Sequence, residues 1–310
     1  MSALICGSIA FDTIMVFPDQ FKNHILPEQV HILNVAFLVP ELRRENGGCA
    51  GNIGYTLKLL GKDPKIMATV GQDYAPYQQW LDQCGISQDL IRIIDDSYTA
   101  QAYITTDMDD NQITAFHPGA MSFSHLNKVP TDQGIEIGIV SPDGKDGMQQ
   151  HAEQFVAADI PFIFDPGQGL PMFDGDELSK LIGQATWVTV NDYEARLLQE
   201  RTGLTPEQIA ERVKGLIITR GSKGSEIYAD QQRYDIPSAK PAAVLDPTGC
   251  GDAYRAGLLY GLMETLDWET TGRIASLLGA IKIETKGTQN HSFTLDEFKA
   301  RFKDNFNSRF

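Results

Sequence analysis

The chain predicts an α/β fold, a mostly parallel sheet with helices on both faces, and three observations carry this. Six short runs are apolar at nearly every position: ALICGSI (3–9), KIMATVG (65–71), IEIGIVS (135–141), PFIFD (161–165), WVTVN (187–191) and GLIITR (215–220). Between most of them lie longer stretches whose apolar residues recur at three and four positions, the period of an amphipathic helix. Finally, glycine- and carboxamide-bearing motifs stand just past a strand or at a helix start, where ligands collect on such sheets. Strands that are apolar at nearly every position belong to sheets covered on both faces.

The elements follow in order. The N-terminal MSALICGSIAFDTIMVF has no basic n-region and is interrupted by Asp12. It reads as a buried strand followed by a loop, not a signal peptide. HILNVAFLV (31–39) is strand-like although no helix precedes it. AGNIGYTLKLLG and YAPYQQWLDQCG flank KIMATVG as helices, and residues 98–117 carry a hairpin pattern, YTAQAYITTD and QITAF around a polar MDDN. With 31–39 this hairpin predicts a small β-sheet lid, discontinuous over approximately 12–46 and 97–122. An extra antiparallel edge on the main sheet is the alternative. KDGMQQHAEQFVAA and DYEARLLQERTG supply further helices, and after Tyr254 the chain is helical through AGLLYGLMETL, TGRIASLLGAIKIET and LDEFKARFKDNF. No internal repeat, low-complexity tract or flexible linker interrupts it, so residues 1–310 are expected to form one domain with its lid.

Composition narrows the function. Acidic residues outnumber basic ones 41 to 26, for a formal charge of −15. Nucleic acid and anionic membranes both require a basic footprint, so neither is expected as a partner. The four cysteines, Cys6, Cys49, Cys84 and Cys250, are widely spaced with no C-x-x-C pair. That spacing argues for reduced thiols in a cytoplasmic setting rather than a disulfide framework or zinc site. No apolar run reaches membrane-spanning length.

Two common nucleotide signatures are missing. There is no G-x-x-x-x-G-K-[ST], and ICGSIAFD lacks the spacing of a dinucleotide site. Four other motifs carry chemistry. In LDPTGCGDAYRAG (245–257), Pro247 turns Asp246 away from helix, and a helix then begins among glycines. Gly249, Cys250 and Gly251 would present bare N–H groups at its positive end, a site for an anion that glycines let approach closely. A capping turn with Asp252 on the dipole is the alternative. GGCAGN (47–52) opens another helix, with Asn52 placed to point an amide at ligand hydroxyls. NDYE (191–194) sets Asn191 and Glu194 one turn apart past a strand, either holding hydrated magnesium through water or capping the helix. TRGSKGS (219–225) carries phosphate or ribose, or is a plain hairpin turn.

In this order the motifs resemble the ribokinase (PfkB) family of sugar and nucleoside kinases: DPTGCGD (246–252), GGCAGN (47–52), NDYE (191–194) and TRGSKG (219–224), with Asp12 soon after the first strand. The resemblance spans the chain and implies a three-layer α/β/α sandwich with a β-lid. It implies Asp252 as general base, with the amides of Gly249, Cys250 and Gly251 as anion hole. Asp12, Gly48 and Asn52 would hold the acceptor's hydroxyls. Asn191 and Glu194 correspond to the magnesium and phosphate element, with Glu194 reaching Mg2+ through water, and Thr219, Gly221 and Gly224 line the ATP site. Asp246 and Thr248 match positions that in some members bind a monovalent cation such as K+. Pro247 and Cys250 depart from the usual Thr and Ala. The helix N-terminus is expected to keep Asp252 ionised and a weak base, sufficient for a loose transition state.

The acceptor is less sharply marked. Tyr98, Tyr103, Ile104, Ile113 and Phe116 in the lid suit a stacked base over a sugar site; a lid core or dimer contact is the alternative. FHPGAM and FDPGQG (164–169) resemble bacterial adenosine and general nucleoside kinases within the family. The expectation is therefore an ATP-dependent kinase acting on the 5′-hydroxyl of a purine nucleoside, as a monomer or lid-mediated homodimer. A ribose-type sugar kinase is the alternative, and a catalytically silent binding protein on the same fold is the reading from another class.

Overall fold

The computed structural model describes residues 2–25, 34–109 and 111–310. Among these, nine strands form one sheet in the order β13-β12-β11-β10-β9-β8-β1-β4-β5. They are β1 Ser2–Cys6, β4 Asp63–Gly71, β5 Ile91–Ile94, β8 Ile135–Val140, β9 Phe162–Phe164, β10 Trp187–Asn191, β11 Gly215–Thr219, β12 Ser225–Ala229 and β13 Gln232–Ile236. The seven from β11 to β5 run parallel, and β12 and β13 add an antiparallel edge. The helices are α1 Cys49–Leu59, α2 Ala75–Cys84, α3 Lys145–Ala157, α4 Gly175–Gln184, α5 Asp192–Thr202, α6 Pro206–Ala210, α7 Cys250–Met263, α8 Trp268–Lys282 and α9 Leu295–Phe306.

Two hydrophobic cores explain the unbroken apolar strands. Side chains alternate faces along a strand, so Ala3 and Ile5 join the core under α1, α2, α7, α8 and α9, while Leu4 and Cys6 join the one under α3, α4 and α5. Leu216 and Ile218 face the second core and Ile217 the first. Helices on both faces make the three-layer sandwich expected. The four cysteines are free thiols, and no helix among the described residues is long and apolar enough to cross a membrane.

A second sheet, β3-β2-β6-β7, stands apart: β2 Ala10–Val16, β3 Glu41–Gly47, β6 Ala100–Thr106 and β7 Gln112–His117. Two expectations need correction here. The segment from Ala10 is a strand, not a loop. Of the strand expected over 31–39, residues 31–33 lie outside the described residues, and 34–39 take no regular structure. The strand falls instead on the polar Glu41–Gly47. A single-layer edge strand has solvent on much of both faces, so it needs no apolar alternation and is safer charged. The aromatic residue of the apolar run, Phe37, packs with Phe17 and Phe21, ring centroids 4.7 and 5.0 Å away. The β6–β7 turn is organised by Asp107, whose Oδ1 accepts the amides of Asp109 and Asn111, each at 2.9 Å.

Helices α7 and α8 cross closely because Gly257 has no side chain: a Cβ there would lie 2.4 Å from Ala275 Cα. Gly257→Ala is expected to cost about 1–3 kcal/mol by overpacking, read as a lower midpoint in urea unfolding. An unchanged midpoint would mean that the two helices are free to separate.

Candidate active site

The turn entering α7 is built from its own main chain. Asp246 Oδ1 accepts the Thr248 amide at 2.9 Å, and Oδ2 accepts that of Gly287 at 2.9 Å. Gly249 sits at the helix N-cap with φ 79°, a left-handed conformation that side chains disfavour; an added Cβ would also press on Thr288 at 3.2 Å. Cys250 N–H donates to Pro247 O at 3.2 Å, so one of the three amides expected to be free is engaged within the turn. The amides of Gly249 and Gly251 have no main-chain partner among the described residues, and they lie at the positive end of a 14-residue helix.

Asp252, in the first turn of α7, accepts a hydrogen bond from Asn52 Nδ2 at 2.7 Å on its Oδ2. Its pKa is pushed up to about 6 by burial, against the lowering pull of Asn52 and Arg255. The helix N-terminus was expected to keep it a weak base, but desolvation outweighs the dipole at this depth. The Asn52 amide is itself fixed. Its Oδ1 accepts from Gln289 Nε2 at 2.9 Å, and Gln289 Oε1 accepts from Trp80 Nε1 at 2.8 Å. Gln289 also donates to the Tyr77 hydroxyl, which donates to Gly47 O at 2.9 Å. Gln289 escaped the sequence reading because it lies in a polar loop, TKGTQN, between two helical patterns.

Arg255, one turn along α7 from Asp252, makes a two-pronged pair with Asp165: Nε to Oδ2 at 3.1 Å and Nη2 to Oδ1 at 2.9 Å. It also comes within 4.0 Å of Glu194. Neither had a place in the expected site, although Asp165 belongs to the FDPGQG segment. Asn191 and Glu194 form a reciprocal capping box at the start of α5: each side chain accepts the other's amide at 2.8 Å. The capping alternative is thus realised, while Glu194 also walls the cleft described below. Burial raises the Glu194 pKa, with Arg255 opposing. No cluster of three or more His, Cys, Asp or Glu side chains among the described residues forms a ready metal cage. One carboxylate on a cleft wall does fit Mg2+, which keeps its waters and relies on substrate phosphates.

At Asp246, oxygens that a monovalent cation would use already accept other donors among the described residues. Both Asp246 carboxylate oxygens are taken by amides, and the Asp246 carbonyl accepts Lys282 Nζ at 2.8 Å.

The lid contributes a row of paired residues, Glu45, Asp12, Ala102 and Phe116, which share one face because they are register partners. Ile104 joins that face, whereas Tyr103 and Ile113 point to the other. The aromatic side chains expected over the sugar therefore divide between two faces. Asp12 is pushed up to about 6 by burial and by the nearby Asp246 and Glu45. Gly48 caps α1 at φ 87° with no room for a side chain, its would-be Cβ 2.6 Å from Ala10 N and Ser8 O.

At the carboxyl ends of β10 and β11, a cleft of about 590 Å³ runs past Asn191, Glu194, Thr219, Gly221 and Gly224 to Gly249, Cys250, Gly251 and Asp252. Asn191 and Thr219 are register partners at those strand ends. Its lining also includes the apolar Ala239, Val244, Ala280 and Ile283. TRGSKG is both a hairpin turn from β11 to the antiparallel β12 and part of the cleft. Asp12, Gly48, Phe116, Asp246 and Thr248 lie outside the cleft wall; Asn52 reaches it through Asp252.

A nucleotide-sized cleft at the strand ends, closed by bare amides beside a carboxylate, belongs to small-molecule phosphotransferases. The chain matches the model of the pfkB family carbohydrate kinases over residues 14–294 and belongs to that family of ATP-dependent kinases. It is similar to a nucleoside kinase of Methanocaldococcus jannaschii, 31% identical over 273 residues, covering 87% of this chain and 89% of that protein. Its fold superposes on Burkholderia thailandensis nucleoside kinase in complex with inosine, with a TM-score of 0.91, 51% identity and 99% of both chains covered. The complex of that enzyme with ADP-inosine gives a TM-score of 0.89 at 53% identity, covering 99% of this chain and 97% of the other.

Proposed function

We propose that the chain transfers the γ-phosphoryl group of ATP to the 5′-hydroxyl of a purine nucleoside. The observation that carries this reading is the Asp252 carboxylate, held by Asn52 at the mouth of a helix where the amides of Gly249 and Gly251 have no main-chain partner among the described residues. At neutral pH a carboxylate with a pKa of about 6 is ionised and accepts the hydroxyl proton as the new bond forms. The amides of Gly249 and Gly251 stabilise the charge spread over the transferred phosphoryl oxygens, where positioning and electrostatics dominate. Glu194 would hold Mg2+ through water, and the ion would neutralise phosphate charge. Asn191, Thr219, Gly221 and Gly224 form the nucleotide wall. Asp12, Gly48 and Asn52 hold the ribose hydroxyls, and Phe116, on the same lid face as Asp12, covers the base.

The purine preference draws its support from the fold's likeness to a kinase solved with inosine and from Phe116 and Ile104 on the Asp12 face of the lid. A coupled assay of ADP release over inosine, adenosine, guanosine and ribose tests it. The purine nucleosides are expected to exceed ribose in kcat/KM by at least about 100-fold, since a lost stacked base forfeits several kcal/mol of binding. Ribose turned over as well as any nucleoside would replace the reading with a sugar kinase, and turnover of none of them would favour a silent binding protein.

A further inference from the structure

Lys282 is fully buried at the end of α8. Its ammonium donates to two main-chain carbonyls, Asp246 O at 2.8 Å and Thr285 O at 3.2 Å. Among the described residues no carboxylate lies within 4.0 Å of it. A lysine kept for an ion pair would meet a carboxylate, and one kept for packing would carry its head to water. Carbonyls gathered around a buried unit charge are instead the donor set of a bound cation. Burial lowers the pKa of this ammonium, with the Arg43 charge acting the same way and the Asp246 carboxylate opposing.

The two carbonyls belong to different pieces of the site. Asp246 heads the turn that sets Gly249 and Gly251. Thr285 begins the loop that supplies Gly287 to the Asp246 carboxylate, Thr288 to the Asn46 carbonyl and Gln289 to Asn52. We propose that the Lys282 side chain is the tethered monovalent cation of the anion-binding turn, locking that turn to the loop that orients Asn52 and making the enzyme independent of K+. Lys282 is a positioning residue: it touches no reacting atom. The proposal rests on the kinase reading of the turn but not on which acceptor is used.

The test replaces tetramethylammonium chloride by KCl at constant ionic strength and follows both kcat and the substrate-free Tm. Wild type is expected to show the same kcat and Tm in either salt. Lys282→Met keeps the stem and removes the charge; its kcat should fall on the order of 100-fold, as for a misplaced reacting group, with little change in nucleoside KM. Lys282→Ala opens room for an ion, so K+ or NH4+ should raise its kcat and its Tm saturably. A wild type activated about tenfold or more by K+ would overturn the proposal, and it needs no variant to fold. So would a Lys282→Met enzyme with wild-type kcat, or a folded Lys282→Ala blind to both ions. The substrate-free Tm separates failure of this proposal from failure of the kinase reading.

Discussion

Asp252→Asn is expected to lower kcat by about 10²- to 10⁴-fold, the usual contribution of a positioned general base, while nucleoside KM changes little. The replacement keeps the shape, and an amide oxygen still accepts from Asn52 Nδ2, now 2.7 Å from the carboxylate. What disappears is the proton acceptor. Stability should move the other way. Burial raises the folded pKa of Asp252 to about 6 from its ordinary value of 3.8, so its charge destabilises the fold above that folded value, and the penalty is relieved as pH falls through 6 toward 4. The variant carries no charge there and should therefore melt above wild type at pH 7, with the gap closing as the pH drops through about 6. Activity and stability that move oppositely exclude misfolding as the reason for the loss. The same titration places an acid limb near pH 6 on wild-type kcat/KM, to which Asp12, also raised to about 6, adds. A variant with wild-type kcat would remove Asp252 from the chemistry; a Tm that falls at pH 7 would mean that the charge is stabilised where it sits.

Which parts of this molecule were legible follows from how far apart in sequence their determinants lie. The central strands could be read because helices cover both faces: Leu4 and Cys6 must be apolar for one core, Ala3 and Ile5 for the other. The β6–β7 hairpin could be read because its turn chemistry, Asp107 to Asn111, is local. Strand β3 could not, because a one-layer edge imposes no apolar period and ELRRENG fits it as well as any sequence. The antiparallel edge β12–β13 carries alternating polar residues after a turn that had two readings. The anion-binding turn was legible because Gly249 and Gly251 act within a few residues of Asp252. Its supports were not. Gln289 meets Asn52 across 237 residues and Arg255 meets Asp165 across 90, and no local pattern marks either pair. Lys282 was hidden differently, in the last turn of an amphipathic helix, where a lone lysine carries no local mark of burial.

Asp165→Asn is expected to cost about 3–5 kcal/mol, because it strands a buried guanidinium instead of merely deleting a bond. Arg255 has 7% of its side chain exposed and Asp165 3%, so water cannot replace the lost partner. Glu194, 4.0 Å away, is the nearest remaining carboxylate. Drawing it in would break its bond to the Asn191 amide and so loosen the start of α5. In thermal unfolding the loss should appear as a Tm lower on the order of 10 °C. The double variant Asp165→Leu with Arg255→Met separates charge from packing. Buried pairs replaced by apolar groups of similar volume are often neutral in stability, so the double variant should melt well above Asp165→Asn. Its kcat should still fall below wild type, since Arg255 stands between Asp252 and Glu194 and lowers the Asp252 pKa by more than Asp165, lost with it, raises that pKa. Without that cation the carboxylate titrates higher, and the acid limb of kcat/KM moves up from about pH 6. A single variant within about 2 °C of wild type would show that the guanidinium finds solvent, and a double variant no more stable than the single would show that packing, not charge, holds the two residues together.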